Sequence, residues 1–142
     1  TGATHLLTGS FIYILMKSNI IYSAVFAVGS HFILDAIPHF DSPAWNFPTG
    51  FLAVLFLLLT AKKKGDPFFL LSALFGMLPD ANHLFCFSKS MLKLHQLAHF
   101  KKSFEIPISY LYIEIYACLV ICYQFKPGIL KGLPQENHQT LS

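Results

Sequence analysis

Residues 20–37, IIYSAVFAVGSHFILDAI, form the stretch on which the fold prediction depends. A helix that crosses a bilayer needs about 20 mostly apolar residues, and this run comes close to that length. Pro38 ends the run, because a proline disfavours helical backbone at the residue before it, here Ile37. The stretch therefore predicts a membrane-crossing helix that carries a histidine, His31, and a carboxylate, Asp35, towards its end.

The rest of the chain repeats this pattern of apolar runs separated by Pro, Gly or Lys. The other runs are residues 5–16, 49–61, 68–78 and 106–125; residues 38–48 are interpreted as a loop, and residues 88–103 mix charged with apolar side chains. Only 106–125 approaches the spanning length, so the shorter runs are expected to tilt, to lie in thinned bilayer or to pack on neighbouring helices. No run alternates between apolar and polar residues as a half-buried strand would, so strands are not expected.

Composition supports the same class of protein. Hydrophobic residues make up 54% of the 142 residues and charged residues only 12%, whereas about 25% of residues are charged in typical soluble domains. The ten basic residues are all Lys, so the bidentate phosphate contacts that Arg makes with nucleic acids are excluded. We predict an all-α integral membrane helical bundle of five or six helices over residues 1–126, followed by a polar tail over 127–142.

Segment 88–103 is predicted to be an amphipathic helix at the membrane interface. Its apolar and histidine side chains can share one broad face, while its lysines lie outside that face. The shared face comprises Met91, Leu92, Leu94, His95, Leu97, Ala98 and His99.

The lysines also predict an orientation in the membrane. If each apolar run crosses the bilayer, Lys17 and Lys62–Lys64 lie on one side with Lys126 and Lys131, and the lysines of segment 88–103 lie on the other. Cytoplasmic loops carry an excess of Lys and Arg, so the first side is predicted to be cytoplasmic.

Histidines and aspartates are concentrated in three parts of the chain. Six of the seven His and three of the four Asp fall there, namely His5; then His31, Asp35, His39 and Asp41; then Asp80, His83, His95 and His99. The predicted topology brings all three parts to the same membrane face. His31 and Asp35 are one helical turn apart, so their side chains point the same way.

This set of side chains is typical of a metal site. Asp35 and Asp80 are expected at the C-terminal ends of their helices, where the helix dipole disfavours a carboxylate, and the chain has no Arg to neutralise them. A divalent cation would turn both carboxylates into ligands. Imidazole with carboxylate favours zinc, and the number of candidates leaves room for one or two ions.

Other interpretations of the same residues remain open. His31 with Asp35 could be a buried hydrogen-bonded pair, and residues 39–41 could simply close the turn after Pro38. A non-catalytic membrane protein could use the cluster for a structural metal or as a hydrogen-bonded helix contact. A metal or proton carrier is a third class, but it would need ligands along a transmembrane path rather than at one face.

Several motifs resemble those of a known family. Residues 4–9 (THLLTG), joined to residues 31–41 (HFILDAIPHFD) and to Leu78-Pro79-Asp80, resemble small prokaryotic integral membrane proteins related to the predicted membrane-bound metal-dependent hydrolases. The pattern is also similar to that of zinc-dependent phospholipase C. Asn82 stands where the hydrolase family usually has a second carboxylate. The residues that the resemblance implies as metal ligands are His5, His31, Asp35, His39 and Asp80.

The combined expectation is a membrane-bound, metal-dependent hydrolase that acts on a phosphoester of a lipid or lipid-linked substrate. The metal ligands are expected among His5, His31, Asp35, His39, Asp41 and Asp80. A further ligand or the general acid is expected among His83, His95 and His99. The protein is expected in the prokaryotic cytoplasmic membrane with this site facing outward, and without a nucleic-acid partner.

Overall fold

A computed structural model of the chain describes residues 1–37, 39, 42–98 and 107–125. Within these ranges the chain forms six helices and no strand. They are α1 (Gly2–Leu15), α2 (Ile20–Ala36), α3 (Pro43–Lys64), α4 (Phe68–Phe85), α5 (Lys89–Ala98) and α6 (Ser109–Gln124). The all-α prediction is confirmed, whereas Asp41, His99 and the predicted tail at 127–142 lie outside the described residues.

Helix α2 begins and ends where its sequence predicts. The side-chain oxygen of Asn19 accepts hydrogen bonds from the backbone amides of Ile21 and Tyr22, at 3.1 and 3.2 Å. These bonds satisfy two of the donors that every helix start leaves open. At the other end Ile37 is extended, with ψ of 131°, as expected for the residue before Pro38.

Two helices are longer than predicted. Helix α3 begins at Pro43 inside the stretch interpreted as a loop, because proline fits the first helical position, where no amide hydrogen is needed. The sequence predicts that helix α4 stops at Pro79, but the helix continues to Phe85. Packing holds this turn in helical form, since Pro79 is fully buried and its carbonyl accepts a hydrogen bond from His95.

Helix α1 lies in the middle of the bundle and contacts α2, α3, α4 and α6. Its crossing with α4 is very close, because a β-carbon built at Gly9 would lie 2.6 Å from the carbonyl oxygen of Ser72. The Ser72 hydroxyl donates to the Gly9 carbonyl at 2.8 Å, and the Ser10 hydroxyl donates to the Phe69 carbonyl at 3.1 Å. Small and hydroxyl side chains are the usual means of close helix packing in membranes.

The bundle has two distinct ends. The start of α1, the end of α2, the start of α3 and the second half of α4 meet at one end, which we call the site end. At the opposite end the Tyr13 hydroxyl donates to Asp66 at 2.9 Å. Helix α6 runs in the same direction as α1, since Thr4 donates to Glu114 at 3.2 Å while the rings of Phe11 and Phe125 lie 6.5 Å apart.

Two helices of the described chain are long and apolar enough to cross a membrane. These are Ala44–Lys64, with a mean hydropathy of 1.6, and Phe68–Phe85, with a mean hydropathy of 1.3. Helices α1 and α2 are also apolar but shorter. By length and composition alone, the structure therefore contains two candidate membrane spans.

Helix α5 differs from its predicted arrangement. His95 is buried, but Leu94 and Leu97, which the sequence predicts on the same face, are 53% and 64% exposed. At about 100° per residue, Leu94 lies about 100° and Leu97 about 160° around the helix axis from His95, so neither leucine shares the buried stripe. Helix α5 therefore contributes a histidine to the interior and apolar side chains to the surface.

The α1–α4 crossing predicts a stability difference between two glycine substitutions. Gly9→Ala would press a β-carbon against the backbone of α4, and overpacking of this kind costs about 1–3 kcal/mol. We expect thermal unfolding in detergent to show a lower Tm for this variant.

Gly29→Ala is the matched control, because a β-carbon at Gly29 meets nothing within 4 Å. Alanine within a helix is favoured over glycine by up to about 1 kcal/mol, so this variant should unfold at the same or a higher temperature. Equal Tm values for the two variants would contradict the close crossing.

Candidate metal centre

Four helices bring histidine and aspartate side chains together at the site end. Helix α1 contributes His5, α2 contributes His31 and Asp35, α4 contributes Asp80 and α5 contributes His95. Each of the three histidines and Asp35 is at most 6% exposed, whereas the Asp80 side chain is 35% exposed. Residues from distant parts of the sequence thus form one compact polar group inside an apolar bundle.

The central atoms of this group are two imidazole nitrogens and two carboxylate oxygens. His31 Nε2 lies 3.1 Å from Asp35 Oδ2 and 3.5 Å from Asp80 Oδ1. His95 Nε2 lies 3.4 Å from the same Asp35 oxygen and 3.5 Å from the same Asp80 oxygen. Each nitrogen therefore faces both carboxylates.

These separations are those expected between the ligands of one metal ion. Zinc binds imidazole nitrogen and carboxylate oxygen at about 2.0–2.2 Å in tetrahedral geometry, which places neighbouring ligand atoms about 3.3–3.6 Å apart. The four nitrogen–oxygen separations in this cluster are 3.1–3.5 Å, close to that range. The ligand atoms of His31, Asp80 and His95 all lie within 4.8 Å of one another and could hold a metal ion.

Backbone carbonyls orient both central histidines. His31 Nδ1 lies 2.7 Å from the Gly76 carbonyl oxygen, and His95 Nδ1 lies 3.1 Å from the Pro79 carbonyl oxygen. Because a carbonyl only accepts, each Nδ1 carries the hydrogen, and each Nε2 of a neutral ring turns its lone pair towards the carboxylates. A hydrogen bond from the second ring nitrogen is the usual support of a histidine metal ligand.

The buried Nε2 atom of His31 lies 3.1 Å from Asp35 Oδ2, and in a neutral ring it has no hydrogen to donate to that oxygen. A lone pair that faces two carboxylate oxygens is repelled by them, and the low dielectric of a buried site strengthens this repulsion. A proton on this nitrogen or a cation between the groups would remove the repulsion. The geometry therefore calls for positive charge at the centre of the cluster.

His5 contacts the other oxygen of Asp35. Its Nε2 atom lies 3.3 Å from Asp35 Oδ1, and its ring stacks on that of His31 with centroids 4.1 Å apart. One carboxylate thus serves histidines on two sides through its two oxygens. His5, His31 and Asp35 form a second, overlapping group that could hold a metal ion.

A pocket of about 310 Å³ opens onto the cluster. Asp35, Asp80 and His95 line it together with His5, so a small molecule in the pocket would meet four members of the cluster directly. The remaining lining includes His39, Asn46, His83 and Gln96.

The two other histidines of the pocket lie farther from the centre. His83 is exposed, and its ring centroid is 5.6 Å from that of His95. His39 donates from Nδ1 to the Ile37 carbonyl at 3.0 Å, and its ring meets that of His5 edge-on at 6.4 Å. Neither belongs to the two groups of ligand atoms within 4.8 Å of one another that the described part of the chain forms.

The structure corrects one expectation about α4. The sequence predicts Asp80 at a helix C-terminus, but α4 continues beyond it to Phe85, so the helix dipole opposes the charge of Asp35 and not that of Asp80. Asn82 is fully buried, and its side chain binds backbone. Its amide donates to the Ser88 carbonyl at 3.0 Å, and its oxygen accepts from the Ser88 amide.

The candidate residues that the structure describes all reach this end of the bundle. They are His5, His31, Asp35, His39, Asp80, His83 and His95. Asn46 and Gln96 of the pocket are not among the candidates from the sequence. Asn46 falls in the stretch interpreted as a loop, and the only sequence signal for Gln96 is its place beside His95.

The cluster predicts that the protein binds a divalent ion tightly. Asp35→Asn replaces a charged ligand by a neutral one and should lower zinc affinity at least about tenfold. Zinc content of the purified chain, measured by inductively coupled plasma mass spectrometry, should fall in this variant and in His31→Ala.

Asp66→Asn controls for the loss of a carboxylate, because Asp66 lies at the opposite end of the bundle. This variant should bind zinc as the unaltered chain does. Equal zinc content in all of these proteins, or none in the unaltered chain after exposure to excess zinc, would identify the cluster as a hydrogen-bonded contact between helices.

Comparison with known proteins adds no assignment to this geometry. No family model matches the chain, and no curated protein and no solved structure matches it. Inference about its function therefore starts from the His/Asp cluster and the pocket that opens onto it.

Proposed function

We propose that this protein is an integral membrane hydrolase that uses a divalent metal to cleave a phosphoester of a lipid or lipid-linked substrate. One observation carries the proposal: imidazole nitrogens and carboxylate oxygens that lie 3.1–3.5 Å apart border an open pocket. The resemblance of residues 31–41 and of Leu78-Pro79-Asp80 to the membrane-bound metal-dependent hydrolases points to the same chemistry.

In this proposal His31, Asp35, Asp80 and His95 hold the metal, and His5 keeps Asp35 in position through its second oxygen. The ligand set of imidazole and carboxylate favours zinc. When bound, the ion would supply an activated water and stabilise negative charge on the phosphate oxygens. The contribution of the chain is to orient these ligands before a substrate arrives, which the buried hydrogen bonds to the backbone achieve.

His83 is the proposed general acid. Hydrolysis breaks the bond between phosphorus and the alcohol oxygen, and the departing oxygen needs a proton. The imidazole of His83 is exposed, lines the pocket and lies beside His95. From there it can donate a proton to the leaving oxygen of a phosphoester bound in the pocket.

The outer surface supports placement in a membrane. Large apolar side chains are exposed along α2, α3, α4 and α6 as well as on α5. Soluble monomers rarely expose large contiguous apolar patches. These side chains include Ile21, Val25 and Ile33 of α2, Phe51, Leu55 and Leu58 of α3, Leu71 and Leu74 of α4, and Tyr112, Ile113 and Tyr116 of α6. Contact with lipid chains would cover this surface, and the two candidate spans have the length to cross a bilayer.

Exposed apolar side chains also lie next to pocket residues in the sequence. Leu94 and Leu97 flank the pocket residues of α5, and Leu84, Phe85 and Phe87 follow His83. These five apolar side chains, which we call the apolar rim, are more than half exposed. A substrate with a polar phosphoester and an acyl chain could place the first in the pocket and the second on this rim, which favours an amphiphile.

The distribution of charge supports the proposed orientation. Lys17 and Lys62–Lys64 lie at the end opposite the site, and excess positive charge favours the cytoplasmic side. In a prokaryotic cytoplasmic membrane, the pocket would then open on the outer side.

Replacement of His83 tests the catalytic part of the proposal. His83→Gln should lower kcat at least about 100-fold, since a general acid contributes about 10²–10⁴ to the rate. Its zinc content should not change, because its ring lies outside the ligand groups. The measurement is release of phosphate or phosphoalcohol from a phospholipid in mixed micelles, with and without a chelator.

Asp66→Asn should retain full turnover. If the unaltered chain binds zinc but releases no product from any phosphoester, the metal is structural, and the polar cluster serves to connect α1, α2, α4 and α5. Turnover that survives removal of the metal would overturn the mechanism.

The apolar rim predicts a difference between substrates. Leu94→Gln with Leu97→Gln should raise KM for a long-chain phospholipid about tenfold, because the apolar contacts of two leucines with the acyl chain are lost. The kcat/KM for a short, water-soluble phosphoester should stay the same, since both leucines lie outside the pocket lining.

Ile21→Gln with Tyr22→Gln is the matched control, because it removes the same kind of exposed apolar surface at the opposite end. It should leave KM for both substrates unchanged. If the leucine variant affects the two substrates equally, the rim does not contact the substrate chain.

A further inference from the structure

A second cavity lies at the end of the bundle opposite the His/Asp cluster. Helices α3 and α6 both pack against α1 and leave a groove of about 710 Å³ between their last turns. Its walls include Phe56 and Leu59 of α3 and Leu119 and Cys122 of α6. The buried ring of Phe125 forms part of its lining and stacks on Phe56, with centroids 5.9 Å apart. The groove is thus a preformed apolar slot of a size typical of ligand sites.

The groove carries positive charge at one end. Lys63 and Lys64 belong to its lining, and no acidic residue does among the described residues. The nearest acid in the sequence, Asp66, accepts hydrogen bonds from the Tyr13 hydroxyl and from the Phe68 amide. Helix α3 ends at Lys64, where its dipole disfavours an anion, but two full ammonium charges exceed the partial charge of a helix end.

The two features of the groove match the two parts of an anionic lipid. The apolar walls fit an acyl chain, and the ammonium groups of Lys63 and Lys64 fit a negatively charged headgroup. Lysine side chains near the ends of membrane helices extend towards the interface, where the phosphates of lipids lie. Since Leu59 and Leu119 are mostly exposed, a lipid can enter the groove sideways from the bilayer.

We propose that the α3–α6 groove binds an anionic phospholipid of the surrounding bilayer, with an acyl chain between Leu59 and Leu119 and the headgroup at Lys63 and Lys64. The inference rests on the membrane placement of the proposed function, but not on its metal or its chemistry. The groove is distinct from the pocket in which the substrate is proposed to bind, because it lies at the other end of the helices.

Native mass spectrometry of the full chain in mild detergent tests the proposal. Phosphatidylglycerol and phosphatidylcholine with the same acyl chains are the probes. We expect phosphatidylglycerol to be retained at least about tenfold more than phosphatidylcholine. Its headgroup has a net negative charge that two lysines attract, whereas the headgroup of phosphatidylcholine has no net charge. Lys63→Gln with Lys64→Gln should abolish the difference, while Lys17→Gln with Lys62→Gln, which removes the same charge at the same end, should preserve it.

Alkylation of Cys122 gives a second measurement that does not alter the lysines. In a chain with Cys86→Ser and Cys118→Ser, phosphatidylglycerol should slow the reaction of Cys122 with a maleimide, and phosphatidylcholine should slow it less. Equal retention of both lipids, or equal protection by both, would overturn the proposal. Protection in detergent without any lipid would overturn it too, because another part of the chain or a second copy would then cover the groove.

The outcomes separate this inference from the proposed function. If the unaltered chain binds zinc and turns over substrate but shows no lipid selectivity, only the groove proposal is overturned. Lipid selectivity without turnover would remove the hydrolase proposal alone. Recovery of the chain from the soluble fraction of cells would remove the membrane placement on which both depend.

Discussion

The hydrogen bond from His31 Nδ1 to the Gly76 carbonyl is the interaction on which the site depends. It joins α2 to α4 at 2.7 Å and leaves Nε2 directed at two carboxylates. Gly76 permits a second contact at the same point, because a β-carbon there would lie 2.6 Å from the His5 carbonyl oxygen. Three helices therefore meet at one glycine, and its missing side chain determines how near His5, His31 and Asp80 lie to one another.

Much of this arrangement follows from spacing alone. His31 and Asp35 share a helix face because four residues make about one turn. Consecutive helices joined by short turns run in opposite directions, so α4 runs in the same direction as α2 and brings Asp80 to the same end of the bundle. Predictions from local sequence were wrong where tertiary packing determines the backbone conformation. The proline rule ends α4 at Pro79, yet burial and the bond to His95 keep that turn helical. No local rule reveals that His95 faces the carboxylates, since this depends on how α5 folds back on α4.

The amide of Asn82 suits its buried position better than a carboxylate would. A carboxylate at this buried position would face the Ser88 carbonyl with an acceptor, whereas the amide both donates to that carbonyl and accepts from the Ser88 backbone. The pair of bonds fixes the segment between α4 and α5 and so positions His95. Asn82 thus acts on the site through the backbone.

The central location of α1 has a consequence for biogenesis. Its closest partner, α4, is far along the chain, since the bond from Ser72 to Gly9 joins residues that are 63 positions apart. During synthesis the glycine and serine surface of α1 therefore stays uncovered by α4 until α2, α3 and α4 have been made. Contacts between segments so far apart form slowly because a long loop has to close first. The nascent protein would be most vulnerable to quality-control proteases in that interval, before α4 covers this surface.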